Sequence, residues 1–225
     1  MEAYKKEFIE FMVRAGVLSF GTFTTKSGRE TPFFINTGRY SRGRDIARLG
    51  QYYARAVHEA LGRDFDCLFG PAYKGIPLVT ATVAALATGF SHDVAYCFNR
   101  KEAKDHGEQG LLIGHAPRDG ERIVIVEDVT TAGTSVRESV ALLKSLARVE
   151  VKALVVSVDR MERGTGAASA LAELREEFGL ETVAIITLDE IVNYLYKRPV
   201  AGQVLIDDEV KARIDAYRAR YGAAE

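Results

Sequence analysis

The chain has 225 residues, 47% of them hydrophobic, and its 30 Lys+Arg against 31 Asp+Glu leave a formal net charge of -1. Apolar residues spread along the whole length supply the core of one soluble domain and exclude global disorder. Balanced charge offers no basic field to grip a nucleic-acid backbone, so any bound anion must be met by a local cluster. The longest weakly polar run, residues 78–90, is too short for a membrane span and reads as a buried helix. The N-terminus lacks the basic-then-apolar order of a secretion signal, and Cys67 and Cys97 stand apart without a CxxC grouping. A reducing, cytoplasmic setting with two buried thiols is expected, with no membrane or nucleic-acid partner.

In chain order, Tyr4, Phe8, Phe11, Met12 and Ala15 interleave with charges up to Gly16, which predicts an amphipathic helix. Residues 18–24 and 32–36 are β-rich and flank Lys26-Ser27-Gly28-Arg29, a hairpin pattern. Helical spacing returns at Ile46, Leu49, Tyr53, Val57, Ala60 and Leu61 and stops at Gly62. Beyond it, β-branched runs at 67–69, 94–98, 122–126, 151–158 and 183–186 alternate with helical stretches from Pro77, from Thr134, near 167–178 and over 207–221. Such alternation predicts an α/β fold with a central, mostly parallel sheet flanked by helices. Residues 99–118 contain Gly107, Gly110, Gly114, many charges and one short apolar patch, and are expected to form a long loop with little regular structure. One domain over 1–225 suffices, with a small N-terminal hood in 1–40 and a lid loop at 99–118.

The strongest chemical signal is Ile123-Val124-Ile125-Val126-Glu127-Asp128-Val129-Thr130-Thr131-Ala132-Gly133-Thr134-Ser135, a buried strand delivering two carboxylates and then a small, hydroxyl-rich turn. Ligands of open α/β sheets bind at this end of a strand. The small residues keep the turn narrow, so backbone N–H groups can converge on one phosphate at the positive end of the following helix. The helix dipole alone is worth about 0.3–2 kcal/mol for an anion, so the convergent donors must do most of the holding. Adjacent acids before such a cradle suit the vicinal hydroxyls of a ribose. The pattern also fits an acidic turn capping a helix with Thr and Ser, which needs no ligand. P-loop, zinc-hydrolase and nucleophile-elbow motifs are absent, and Gly164-Thr165-Gly166 lacks the third Gly of a dinucleotide loop.

Two further segments carry cations. Phe69-Gly70-Pro71-Ala72-Tyr73-Lys74-Gly75-Ile76-Pro77 is either a plain strand-to-helix connector or a turn that puts Lys74 beside exposed N–H groups, as a pyrophosphate requires. Arg100, Lys101, Lys104 and His106 crowd the start of the long loop. A charge run is ordinarily a solvated face, but cations on a glycine-hinged loop beside a phosphate turn also describe a lid.

These segments, with Phe20-Gly21-Thr22-Phe23-Thr24-Thr25-Lys26-Ser27-Gly28-Arg29, Cys97-Phe98-Asn99-Arg100-Lys101-Glu102-Ala103-Lys104-Asp105-His106-Gly107 and Asp159-Arg160-Met161-Glu162-Arg163-Gly164, resemble the orotate phosphoribosyltransferase family over nearly the full chain. The acid-acid-turn motif by itself would indicate only the wider type I phosphoribosyltransferase class. The resemblance implies that class's Rossmann-like fold and transfer of ribose 5-phosphate from phosphoribosyl pyrophosphate (PRPP) to N1 of orotate, with Mg²⁺, in pyrimidine synthesis. It implies that Val129, Thr130, Thr131, Ala132, Gly133, Thr134 and Ser135 hold the 5-phosphate while Glu127 and Asp128 face the ribose. Tyr73, Lys74, Arg100, Lys101, Lys104 and His106 would surround the pyrophosphate, with Lys26 also at PRPP. Orotate would lie near Lys26, Phe34, Ile35, Thr131 and Arg160. The catalytic set implied is Lys101, Lys104, His106 and Asp128, with Mg²⁺ held mainly by PRPP rather than by side chains. A homodimer whose lid reaches the neighbouring site is implied, and the decarboxylase fused to this activity in some organisms is expected to be a separate protein. Glu127 stands where the family often has Asp, and Ile35 where it often has Phe.

Orotate is already an anion near neutral pH, so little general-base work is expected and the lack of a nucleophilic triad fits. Two other readings stand beside this one: a phosphoribosyltransferase acting on a purine base, disfavoured by the N-terminal segment, and a PRPP-binding regulator without chemistry, disfavoured by the lid cations.

Overall fold

The computed structural model describes residues 1–24, 30–101 and 110–223. Among them, six strands form the main sheet: β3 (Cys67–Phe69), β4 (Ala95–Asn99), β5 (Leu112–Gly114), β6 (Arg122–Val126), β7 (Glu150–Asp159) and β8 (Glu181–Thr187). Their spatial order is β5-β4-β3-β6-β7-β8, parallel throughout except for β4 against β5. The run Ile123-Val124-Ile125-Val126 is apolar at every residue because both sides of β6 are covered. Val124 and Val126 pack with helices α2 (Gly43–Leu61) and α3 (Gly75–Phe90), whereas Ile123 and Ile125 pack with α4 (Thr134–Leu146) and α5 (Ala170–Phe178).

Chain order reverses across the sheet between β3 and β6. From β3 the chain builds outward through β4 and β5, then returns to place β6 on the other side of β3. The crevice beyond the carboxyl ends of two such strands is where open α/β sheets bind ligands.

The N-terminal hood consists of α1 (Ala3–Arg14) and an antiparallel pair, β1 (Leu18–Thr24) and β2 (Glu30–Ile35). Residues 25–29, which carry the predicted turn, lie outside the described residues. Helix α7 (Asp208–Tyr221) backs the hood, with the Tyr217 ring edge-on to Phe33 at 5.8 Å.

The structure departs from the sequence reading in four places. Residues 99–118 are not a bare loop, because Leu112–Gly114 return as β5 and pair with β4. Helix α3 begins at Gly75, before Pro77, because a first-turn proline gives up an N–H that the helix does not use. That helix is buried on one side only, through Leu78, Val79, Thr82 and Leu86, with Thr80, Ala84, Ala87 and Thr88 exposed. It covers one sheet face rather than crossing a core. Finally, α6 (Leu188–Leu195) and the short pair β9 (Pro199–Val200) and β10 (Gln203–Val204) follow β8. Thr187 and Glu190 close a reciprocal capping box at the start of α6.

Candidate active site

Strand β6 ends at the crevice and hands over directly to Glu127 and Asp128, whose backbone is tied through Glu127 N–H and both carbonyls. The Glu127 N–H donates to Val155 O at 2.9 Å, and Glu127 O accepts from the Tyr53 hydroxyl at 2.7 Å. Asp128 O accepts from Ser157 twice, from N–H at 2.9 Å and from Oγ at 2.6 Å. These four bonds fix where both carboxylates start.

The two acids then diverge in environment. Asp128 is 7% exposed, and its Oδ2 accepts from Lys74 Nζ at 2.9 Å and from Thr37 Oγ1 at 2.6 Å. One carboxylate oxygen therefore links the β3 turn, the hood and β6. Glu127 accepts from Ser135 Oγ at 2.7 Å. Burial pushes its pKa up to about 7, with the neighbouring Asp128 charge adding to the rise and the Ser135 hydroxyl and the Lys74 and Lys101 cations opposing it. Near neutral pH this carboxyl is thus balanced between its protonated form and the ionised form that accepts from Ser135 Oγ.

The turn that follows carries its hydroxyls outward. Thr131, Ala132, Thr134 and Ser135 are exposed, Val129 and Thr130 are half-buried, and Gly133 is buried. No side chain caps the N-terminus of α4, as at α1, α2 and α3, whereas Ser169, Thr187 and Asp207 cap α5, α6 and α7. With small residues around them, the first N–H groups of α4 are open to an outside acceptor. Gly133 is required here twice over. Its φ is +73°, and a Cβ would lie 2.9 Å from Arg137 Nη1 and 3.1 Å from Leu174. Arg137 holds the turn from behind, donating to Ala132 O and pairing with Glu177 at 2.7 Å.

Across the crevice, the β3 turn is drawn tight by two glycines back to back. A Cβ on Gly75 would lie 2.6 Å from the Gly70 carbonyl carbon, so neither position accepts a side chain. Asn99 Oδ1 accepts from Ala72 N–H at 2.7 Å, which ties this turn to the end of β4, and the Ala72–Tyr73 peptide is cis. Tyr73 is 69% exposed, and Lys101 Nζ sits 5.9 Å from its ring centroid. Arg100, just past the end of β4, donates its N–H to Leu111 O at 2.8 Å. Lys26, Lys104 and His106 lie outside the described residues.

At the hood end, Phe34 is 38% exposed and stacks on Phe23 at 5.5 Å. Ile35 points into the core, so only its backbone remains to meet a ligand. Arg160, just past the end of β7, is nearly buried, with its guanidinium carbon 4.8 Å from the centre of the Phe33 ring and its charge paired to Glu162 at 2.7 Å.

The structure brings Lys74, Glu127, Asp128 and the turn at 129–135 to one crevice, with the Lys101 ammonium beside the Tyr73 ring. Sequence reasoning missed Thr37, Tyr53, Asn99 and Ser157. Thr37 and Asp128 are 91 residues apart, so no local pattern announces their bond.

The family described as "Phosphoribosyl transferase domain" matches residues 36–166, which span the hood's end, both crevice turns and the loop after β7. The orotate phosphoribosyltransferase of Lachnoclostridium phytofermentans is 59% identical over 222 residues, 99% of each chain. That of Clostridium beijerinckii is 58% identical over 223 residues, covering 99% of this chain and 100% of the relative. The chain belongs to the orotate phosphoribosyltransferase family. A solved orotate phosphoribosyltransferase from Francisella tularensis superposes with a TM-score of 0.83 at 35% identity, over 96% of this chain and 100% of that one.

Proposed function

We propose that the chain catalyses transfer of ribose 5-phosphate from PRPP to orotate, yielding orotidine 5′-phosphate and pyrophosphate. The observation that carries this reading is the pairing at the β3/β6 crevice of two anchored acids with an uncapped helix turn. The turn receives the 5-phosphate through its N–H and hydroxyl donors. The acids accept from the ribose hydroxyls, Asp128 from a fixed position and Glu127 once it has lost its proton.

In the reaction the C1–O bond to pyrophosphate breaks with its electron pair going to the leaving oxygen, the bond from C1 to N1 of orotate forms, and the N1 proton passes to the released pyrophosphate or to solvent. Negative charge grows on the leaving group while the sugar becomes cation-like. Lys74 and Lys101 are placed to meet the former, joined by Arg100, Lys104 and His106 from the lid, which also keeps water from the latter. Asp128 orients Lys74 through their 2.9 Å bond. Mg²⁺ fits this setting: the carboxylates of Glu127 and Asp128 offer hard oxygens near substrate phosphates, the donor set that ion takes. Held mainly by PRPP, it would neutralise charge on the departing pyrophosphate.

Orotate is read by Lys26, Thr131, Arg160, the exposed Phe34 ring and the backbone of Ile35. The working unit is a homodimer whose lid reaches the neighbouring site, a reading supported by exposed Leu111 and Ile113 at the lid's foot. Its setting is the cytoplasm, in keeping with the free thiols Cys67 and Cys97. Among the described residues no helix is long and apolar enough to cross a membrane.

The test follows orotate consumption with PRPP and Mg²⁺, then substitutes uracil. Loss of the carboxylate leaves buried donors unpaired, so kcat/KM for uracil should fall about 10⁴–10⁵-fold. Comparable values for the two bases would overturn the assignment of the base pocket.

A further inference from the structure

The loop after β7 is held by the far end of the chain. The Arg163 N–H donates to Tyr221 O at 3.0 Å, and Ala223 N–H to Met161 O at 2.9 Å, so residues 161–163 and 221–223 run side by side. Inside this strap lies a nearly closed polar cluster. Glu162 Oε1 accepts from Arg160 Nη2 at 2.7 Å, Arg160 Nε at 3.1 Å and the Tyr217 hydroxyl at 3.0 Å. Arg160 and Glu162 side chains are 9% and 10% exposed, and Tyr217 is 6% exposed. Phe33 completes the enclosure, lying under the guanidinium and meeting the Tyr217 ring edge-on.

A guanidinium has five N–H donors in a rigid plane. Glu162 takes Nε and one hydrogen of Nη2, leaving the Nη1 edge and one Nη2 hydrogen without an acceptor among the described residues. With one edge tied and one face on Phe33, the plane cannot rotate about its long stem, and the free edge has a single direction. Tyr217 prevents the alternative in which Glu162 swings away, because its hydroxyl shares the same oxygen.

We propose that Glu162 and Tyr217 are positioning residues for base recognition. Through them the C-terminal helix α7 sets the direction in which Arg160 presents its free donors to the pyrimidine. This inference rests on the reading of Arg160 as an orotate contact. Neither residue touches substrate, and each acts through the arginine.

The test compares wild type with Tyr217→Phe, Glu162→Gln and the double variant in steady-state assays that vary orotate and PRPP separately, with Tm recorded for each. Tyr217→Phe keeps the ring contacts and removes one charged-group hydrogen bond, so KM for orotate should rise about tenfold. KM for PRPP should stay within about twofold, since its contacts lie on other strands. The double variant should be no worse than the poorer single one, because both act on one guanidinium. Selectivity for orotate over uracil should fall in step. Equal rises in both KM values, or a lower Tm with KM for orotate unchanged, would overturn the inference. If Glu162→Gln fails to fold, calorimetric titration of orotate into Tyr217→Phe decides it in the same terms. Absence of orotate turnover in wild type would instead strike the proposed function.

Discussion

The turn after β6 and the hood meet at Asp128, yet they are built in opposite ways. The turn is consecutive sequence: strand, two acids, five short residues and a helix, with the backbone of the acids bonded to the neighbouring strand and to α2. The hood is assembled from remote pieces. Arg213 reaches 192 residues back to Gly21 O at 2.7 Å, Tyr217 and Arg160 enclose Phe33, and Thr37 crosses 91 residues to Asp128. A site of this kind has one half set by local chain geometry and another set by tertiary packing. Changes in the first should act on PRPP holding and on stability. Those at the long-range contacts should act on turnover and selectivity.

The largest effect is expected from the lid cations. Lys101→Ala or Lys104→Ala should lower kcat about 10²–10³-fold, the loss typical of one transition-state donor, with Tm unchanged. Unchanged turnover in both variants would remove the lid from the mechanism. Next comes the turn itself: Gly133→Ala forces a side chain into positive φ and against Arg137 and Leu174, so unfolding free energy should drop by about 1–3 kcal/mol in denaturant titration. A fully stable Gly133→Ala with normal KM for PRPP would mean that the turn tolerates a different path.

Thr37→Val addresses the seam between the halves. Losing a donor to a buried carboxylate should cost about tenfold in kcat/KM for PRPP. No change would show that Lys74 alone orients Asp128.

The smallest effect is a pH dependence. Folded Glu127 keeps its proton up to about 7, whereas the unfolded chain releases it near 4.5. Unfolding therefore releases a proton between those values, and this group's contribution to stability falls as pH rises through that window, then levels off. Ligand binding runs the other way, since ribose hydroxyls favour the ionised acid. The kcat/KM for PRPP should rise several-fold as pH passes about 7, and Glu127→Gln should flatten the profile.

Legibility from sequence follows the same division. The β6 strand, the start of α4 and the acid pair could be read because a fully buried strand and an uncapped glycine turn leave consecutive marks. Strand β5 was hidden because Leu111-Leu112-Ile113 is short and set among charges, and it becomes a strand only by pairing with β4. Helix α6 did leave a signal, Thr187 followed three residues later by Glu190, which the β8 pattern running into it obscured. Thr37, Asn99, Glu162 and Tyr217 carry no local signature, since each is defined by a partner elsewhere in space.

The hydrogen bond from Arg100 N–H to Leu111 O at 2.8 Å lies directly beside the β4/β5 ladder. The two described ends on either side of 102–109 are thus clasped to each other at the sheet edge, so a change in β4 or β5 shifts both anchors together rather than one against the other.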